Sequence, residues 1–327
     1  MGDIWNIKEQ YKRQMGSLWS RGDRAVSSGG DTGSSTYVNT IDYVQISTTG
    51  DSADFGDLSA VRTNHAAISS TTRGVWAGGY APDHSNIIDY VTIASTGNAA
   101  DFGDRTIAKT LCTGGSNDVR GVAGGGYGAG AQNTIDYVTI ASVGNAIDFG
   151  DLTVARYYQE STSNHLRAVW AGSGSPNTNI LDYINFASIG DAVDFGDLTS
   201  AKYSLCGVAS NIKGIFSGGN PASGYLSAID QITFATTGNA TDFGNAATTR
   251  GNHTGTSNNK RAVMCGGSTP TYVNTVEYLN IVVASDSVDF GDLTSARRHP
   301  STVGSGHGGL LEGEPTGSAF NIHELQA

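Results

Sequence analysis

Cysteine is scarce in this chain: Cys112, Cys206 and Cys265 are its three among 327 residues, and they stand far apart. Their spacing offers neither a disulfide framework nor a zinc-binding pattern, so small buried thiols are expected. Long apolar runs are also lacking. No stretch approaches the ~20 residues that cross a bilayer as a helix, and residues 1–15 do not read as a secretory signal. The expectation is a soluble chain, made in a cytoplasm, with no membrane insertion. Helical periodicity is missing too. Apart from a stretch near IKEQYKR, no window places apolar residues at i, i+3, i+4 and i+7. Bases are outnumbered, 19 Lys and Arg against 30 Asp and Glu for a net charge of −11. That balance argues against a nucleic-acid backbone as partner.

What the chain does have is one sentence written many times. Residues 88–104 read IDYVTIASTGNAADFGD and residues 135–151 read IDYVTIASVGNAIDFGD. A catalytic site is normally written once, so a stretch recurring at a fixed period is first a structural unit. The Phe of DFG recurs as Phe55, Phe102, Phe149, Phe195, Phe243 and Phe290, at intervals of 47, 47, 46, 48 and 47 residues. Before each lies an acid followed by an aromatic or other residue: Asp42, Asp89, Asp136, Asp182, Asp230 and Glu277. Seven positions after each Phe comes a base: Arg62, Lys109, Arg156, Lys202, Arg250 and Arg297. Five times in six another base follows eleven residues later and opens an apolar run into glycines, as Arg73 does in RGVWAGGY.

Each unit carries four segments with strand character, rich in Val, Ile, Tyr, Thr and Phe and separated by Gly, Asn, Ser and Thr. Four strands in about 47 residues is a β-propeller blade. The offsets also extend to both ends. Arg24 has Arg13 eleven residues before it; beyond Arg297 come GGLLEGE and SAFNIHEL; and GDIW puts Trp5 in the place of Phe. This counting predicts an all-β, seven-bladed propeller as one domain over residues 1–327, with repeats from 13 to 327. Residues 1–12 are expected to be the strand that closes the ring by pairing with the C-terminal blade.

The order of base, apolar-Gly-Gly, acidic-aromatic strand and aromatic residue resembles the kelch repeat, with Phe where kelch repeats usually carry Trp. His65 and His253 stand three residues after their base, as kelch histidines often do. More narrowly, DYVTIASxGNAxDFGDLTxAR resembles kelch-like repeats of bacteriophage virion proteins, especially tail and fibre proteins. The resemblance covers nearly the whole chain and bears on fold more than activity, because propellers carry unrelated functions.

Several motifs weigh toward structure. DFG serves a kinase once, beside other required motifs; here it occurs six times without them. Its Phe is expected to bury against the next blade, for about 1.5–3 kcal/mol each. Asp51, Asp54 and Asp57, or Asn98, Asp101 and Asp104, space oxygens three residues apart, which could hold calcium, but turn hydrogen bonds and pairing with the repeated bases are the preferred reading. No metal and no cofactor is therefore assigned. RGD at 21–23 reads as a turn. Strands after each base should bring His65, Gln159 and His253 toward the axis, without a nucleophile or paired acid beside them.

The variable parts are the loops after the glycines, and five of the six carry a tyrosine. Tyr37, Tyr80, Tyr127, Tyr225 and Tyr272, with His84, are the candidate binding residues, because loops of this class gather on one propeller face and Tyr offers flat, amphipathic contact area. The expected function is non-enzymatic: a bacteriophage virion structural or accessory protein on tail or capsid, located in the virion. Its partners would be other virion proteins, or a host-surface glycan or receptor. A cellular kelch-type interaction scaffold is the alternative, and a sugar-active propeller enzyme the third.

Overall fold

The structure, a computed structural model, describes residues 24–32, 36–45, 49–299 and 301–304. The described strands form six separate antiparallel sheets of four, the blades of a β-propeller. In blade 2 the strands Ala66–Ser69, Arg73–Ala77, Ile87–Thr92 and Ala100–Asp104 pair in sequence order, from the axis outward. Blades 3, 4, 5 and 6 repeat this, with innermost strands Thr113–Ser116, Glu160–Ser163, Cys206–Ala209 and Thr254–Ser257. Blade 1 is composite. Its three outer strands, Arg24–Ser28, Thr40–Gln45 and Ala53–Asp57, come from the start of the described chain. Its innermost strand is Ser301–Gly304, in register with Val303 opposite Val26.

Both the blade count and the closure correct the sequence expectation. The described residues make six blades, not seven, and their ring closes through Ser301–Gly304, which pairs with Arg24–Ser28. Innermost strands touch in an unbroken circle, with Ser301–Gly304 against both Thr254–Ser257 and Ala66–Ser69. The error has a simple physical origin: a repeat offset measures position along the chain, not around a ring. The unit counted from Arg297 and the unit counted from Arg13 are two parts of one blade. Residues 1–12 with Trp5, the RGD at 21–23, and GGLLEGE and SAFNIHEL lie outside the described residues.

Among the described residues there is no single core. Buried apolar side chains form six clusters, one at each junction between neighbouring blades, and each contains one Phe of the DFG series. Phe149 of blade 3 packs with Trp170, Ile184 and Phe186 of blade 4; Phe290 of blade 6 packs in the cluster that contains Ala25 of blade 1. The second strand of each blade is buried on both faces, which is why RAVWA-type runs are almost continuously apolar. The outer strand buries little besides its Phe.

The rest of DFGD explains itself at the same junction. Gly103 adopts φ +144°, and a Cβ there would lie 2.6 Å from the Gly144 carbonyl of the next blade. That approach allows the Gly144 N–H to donate to the Phe102 carbonyl at 2.7 Å, and Asn145 Oδ1 to accept from the Asp104 N–H at 3.0 Å. Asn98, Asp191, Asn239 and Asp286 repeat the last contact, and Asp51 makes it to Asp292 across the closure. Of the residues considered for calcium, Asp51 and Asn98 thus use a side-chain oxygen to tie neighbouring blades together, a longer reach than the local turn bonds expected, while Asp57 and Asp104 take part through backbone N–H groups and Asp54 and Asp101 stay exposed.

Candidate functional site

The repeated charges are consumed inside the ring. Each base after DFG pairs with the third-strand acid of the following blade: Arg62 with Asp89 at 2.7 Å, Arg156 with Asp182 at 2.9 Å, Lys202 with Asp230 at 3.1 Å and Arg250 with Glu277 at 3.5 Å. Lys109 and Arg105 share Asp136, and Arg297 reaches Asp42 to complete the circle. All twelve of the residues in the six repeat pairs are buried. A second set of bases binds by its planes: Arg73 stacks on Tyr90 with its guanidinium carbon 4.7 Å from the ring centre, and donates to the Ile140 carbonyl of the next blade. The acids of DFG itself, such as Asp54 and Asp101, are exposed.

Two residues beyond each base the backbone turns left-handed. Asn64, Leu111, Tyr158, Ser204, Asn252 and His299 have φ between +52° and +59°, a region that costs a non-glycine residue roughly 1–3 kcal/mol when the surroundings impose it. Leu111, Ser204, Asn252 and His299 each donate a backbone N–H to the carbonyl of the preceding member, at 2.9–3.0 Å. These residues therefore form a collar around the axis, hydrogen-bonded at four of its six steps.

The collar surrounds a cavity of about 130 Å³. Asn64, Tyr158, Asn252 and His299 stand at it, and His65, Gln159, Glu160 and His253 also line it; the sequence placed His65, Gln159 and His253 near the axis correctly. Burial dominates the electrostatics. It holds His65 and His253 well below the usual imidazole range, reinforced by Arg62 and Arg250 respectively. It lowers His299 to about 3, with Arg298 adding to the effect. Glu160 is pushed up to about 8, because no cation stands near enough to offset burial and only the Ser161 N–H favours the carboxylate. At neutral pH the cavity wall is polar but largely uncharged.

Around the mouth, aromatic rings touch in series. Tyr37 meets Tyr80 at 5.8 Å between ring centres, Tyr80 meets His84 at 5.7 Å, and His84 meets Tyr127 at 5.9 Å. Tyr127 then meets Tyr157 at 5.2 Å, Tyr157 meets Tyr158 at 5.4 Å, and Tyr158 meets Tyr203 at 5.9 Å. Four of the six candidate residues belong to this arc. Tyr225 and Tyr272 do not: Tyr225 accepts a hydrogen bond from Ser268, and Tyr272 lies under Arg298. The loop tyrosines sit beside the collar because Tyr80 bridges to Thr63, and Tyr127 to Thr110.

Sequence reasoning missed Tyr157, Tyr158, Tyr203, His299 and Glu160. A signal existed for Glu160: the equivalent positions of blades 2, 3, 5 and 6 hold Ala66, Thr113, Cys206 and Thr254, so a carboxyl stands there once. No group of three or more potential metal-ligating residues gathers among the described residues. No family model and no curated protein matches this chain.

Proposed function

We propose that this chain is a non-enzymatic component of a bacteriophage particle, a tail or capsid accessory protein whose tyrosine-lined face contacts other virion proteins or a host-surface glycan or receptor. The observation that carries the binding role is the series of ring contacts from Tyr37 to Tyr203 on one face of the propeller. Rigid amphipathic rings supply contact area at small entropy cost. The sequestration of the repeated acids and bases in internal pairs supports binding over acid–base catalysis and over nucleic-acid recognition. Assignment to a phage particle rests on the resemblance of the repeat wording to tail and fibre proteins.

Two measurements test this reading. Mass spectrometry of purified particles should find the chain as a stoichiometric component, and its absence would remove the virion assignment. Labelled protein should bind particles or host-envelope material, and Tyr80→Ser with Tyr127→Ser should weaken that binding. Thr71→Ala, at an exposed position in the turn at the opposite end of an innermost strand, should not. Loss only from the Thr71 variant would move the functional surface to the other face.

A further inference from the structure

We infer that the axial cavity is a binding site for one neutral, polyhydroxylated ring, a single sugar or cyclic polyol unit held between Glu160, Gln159, His253 and the Tyr158 side of the collar. The inference rests on the proposed contact face only in that the cavity opens on it, and it supplies a chemical class for what that face recognises.

Size is the first argument. A cavity of about 130 Å³ is a little smaller than the ~150 Å³ that holds benzene in an apolar interior, so it admits one ring at most, with the ring's substituents reaching into the open mouth. Here the wall is polar, and that polarity is unfinished. Among the lining residues, Gln159 Oε1, Thr113 Oγ1, Ser204 Oγ and both ring nitrogens of His253 are buried without a hydrogen-bond partner. Buried polar groups left this way cost free energy unless something completes them. The set is mixed: an amide carbonyl accepts, an imidazole donates at one nitrogen and accepts at the other, and two hydroxyls do either.

Charge then selects among ligands. The repeated arginines and lysines are committed to the buried acids, so the wall provides no free cation from that set to hold a phosphate or carboxylate. Glu160 has its proton to about pH 8, which makes it a donor as well as an acceptor at neutral pH and a poor anchor for an ammonium group. A hydroxyl donates and accepts in turn, and it suits such a wall best. Tyr158 adds an aromatic face of the kind on which the C–H side of a sugar ring stacks.

The repeat itself supports a dedicated site. Packing residues return blade after blade, whereas the collar reads Asn64, Leu111, Tyr158, Ser204, Asn252 and His299, with one backbone geometry and five residue types. Left-handed backbone at Leu111 and Tyr158 is costly, and strain of this kind clusters at ligand sites. One ionisable residue, Glu160, breaks the pattern of small side chains at the head of the innermost strands.

The test is a titration of the full-length protein with glucose, galactose, N-acetylglucosamine and myo-inositol, and separately with methylammonium chloride, followed by isothermal calorimetry and by the imidazole signals of His253. At least one neutral ring should bind saturably. Glu160→Ala, which copies the residue already present at position 66, should weaken it about tenfold, while Glu160→Gln should change it less than threefold. Thr113→Val with Ser204→Ala, which removes only unpartnered hydroxyls, should also weaken it severalfold. Particle or envelope binding by a protein that titrates with no neutral ring sinks the cavity reading alone, and a neutral ring that titrates while particle and envelope binding are absent sinks the contact-face reading alone. No saturable binding by any neutral ring, with ordered water filling the cavity, overturns the inference. So does binding indifferent to Glu160→Ala and to the hydroxyl pair, or binding of methylammonium alone that Glu160→Gln abolishes.

Discussion

Arg297 and Asp42 lie 255 residues apart in sequence and share a buried ion pair. It is the same contact that Arg156 makes with Asp182 inside the chain. The last base of the repeat therefore meets the first acid, and the ring has no special junction.

This equivalence predicts equal consequences. Asp42→Ala should destabilise the protein about as much as Asp182→Ala, each by roughly 3–5 kcal/mol, because each leaves a buried guanidinium without its partner. Urea unfolding of the two variants measures this. A near-neutral Asp42→Ala beside a costly Asp182→Ala would mean that blades 6 and 1 do not close on each other.

The DFG glycine gives a second, internally controlled prediction. Gly97 and Gly103 share almost the same backbone, φ +154° and +144°, but a Cβ at Gly97 meets nothing within 4 Å whereas one at Gly103 meets the Gly144 carbonyl at 2.6 Å. Gly97→Ala should cost the backbone strain alone, about 1–3 kcal/mol. Gly103→Ala should cost clearly more, because the blades must also move apart and their backbone hydrogen bonds stretch. Equal losses in thermal unfolding would refute the claim that blade spacing selects this glycine.

These comparisons show what was legible in the sequence. The strand class, the four-stranded unit and the burial of the DFG phenylalanines could be read because packing against an identical neighbour forces identical residues, and Phe55 through Phe290 keep that spacing. Closure could not be read by counting, because Arg24–Ser28 takes its inner neighbour from Ser301–Gly304. The six phenylalanines did count the junctions correctly. On the tyrosine-lined face, loop composition marks Tyr37, Tyr80 and Tyr127, whereas Tyr157, Tyr158 and Tyr203 follow the bases of the repeat, where a strand segment is expected. Their contribution depends on the left-handed turn at Tyr158 and Ser204, which side-chain pattern alone does not announce.

The half-buried carboxyl at the axis yields the last prediction, through the pH dependence of stability. Glu160 titrates near 4.5 in an unfolded chain and near 8 in the fold. Between those values the folded state holds a proton that the unfolded state has lost, so Glu160 makes stability fall as pH rises. His65, His253 and His299, all lowered from 6.5 by burial, act in the opposite sense: as pH falls through the unfolded value near 6.5, the unfolded chain gains protons that the fold refuses, and stability drops. The histidine contributions are common to the parent and to Glu160→Gln and cancel in their difference. The melting temperature of Glu160→Gln relative to the parent should therefore be lowest near pH 4.5 and climb steadily to about pH 8, where it levels off. Calorimetry across that interval measures the difference directly, and a difference that stays flat or shrinks with rising pH would show that Glu160 is ionised in the fold.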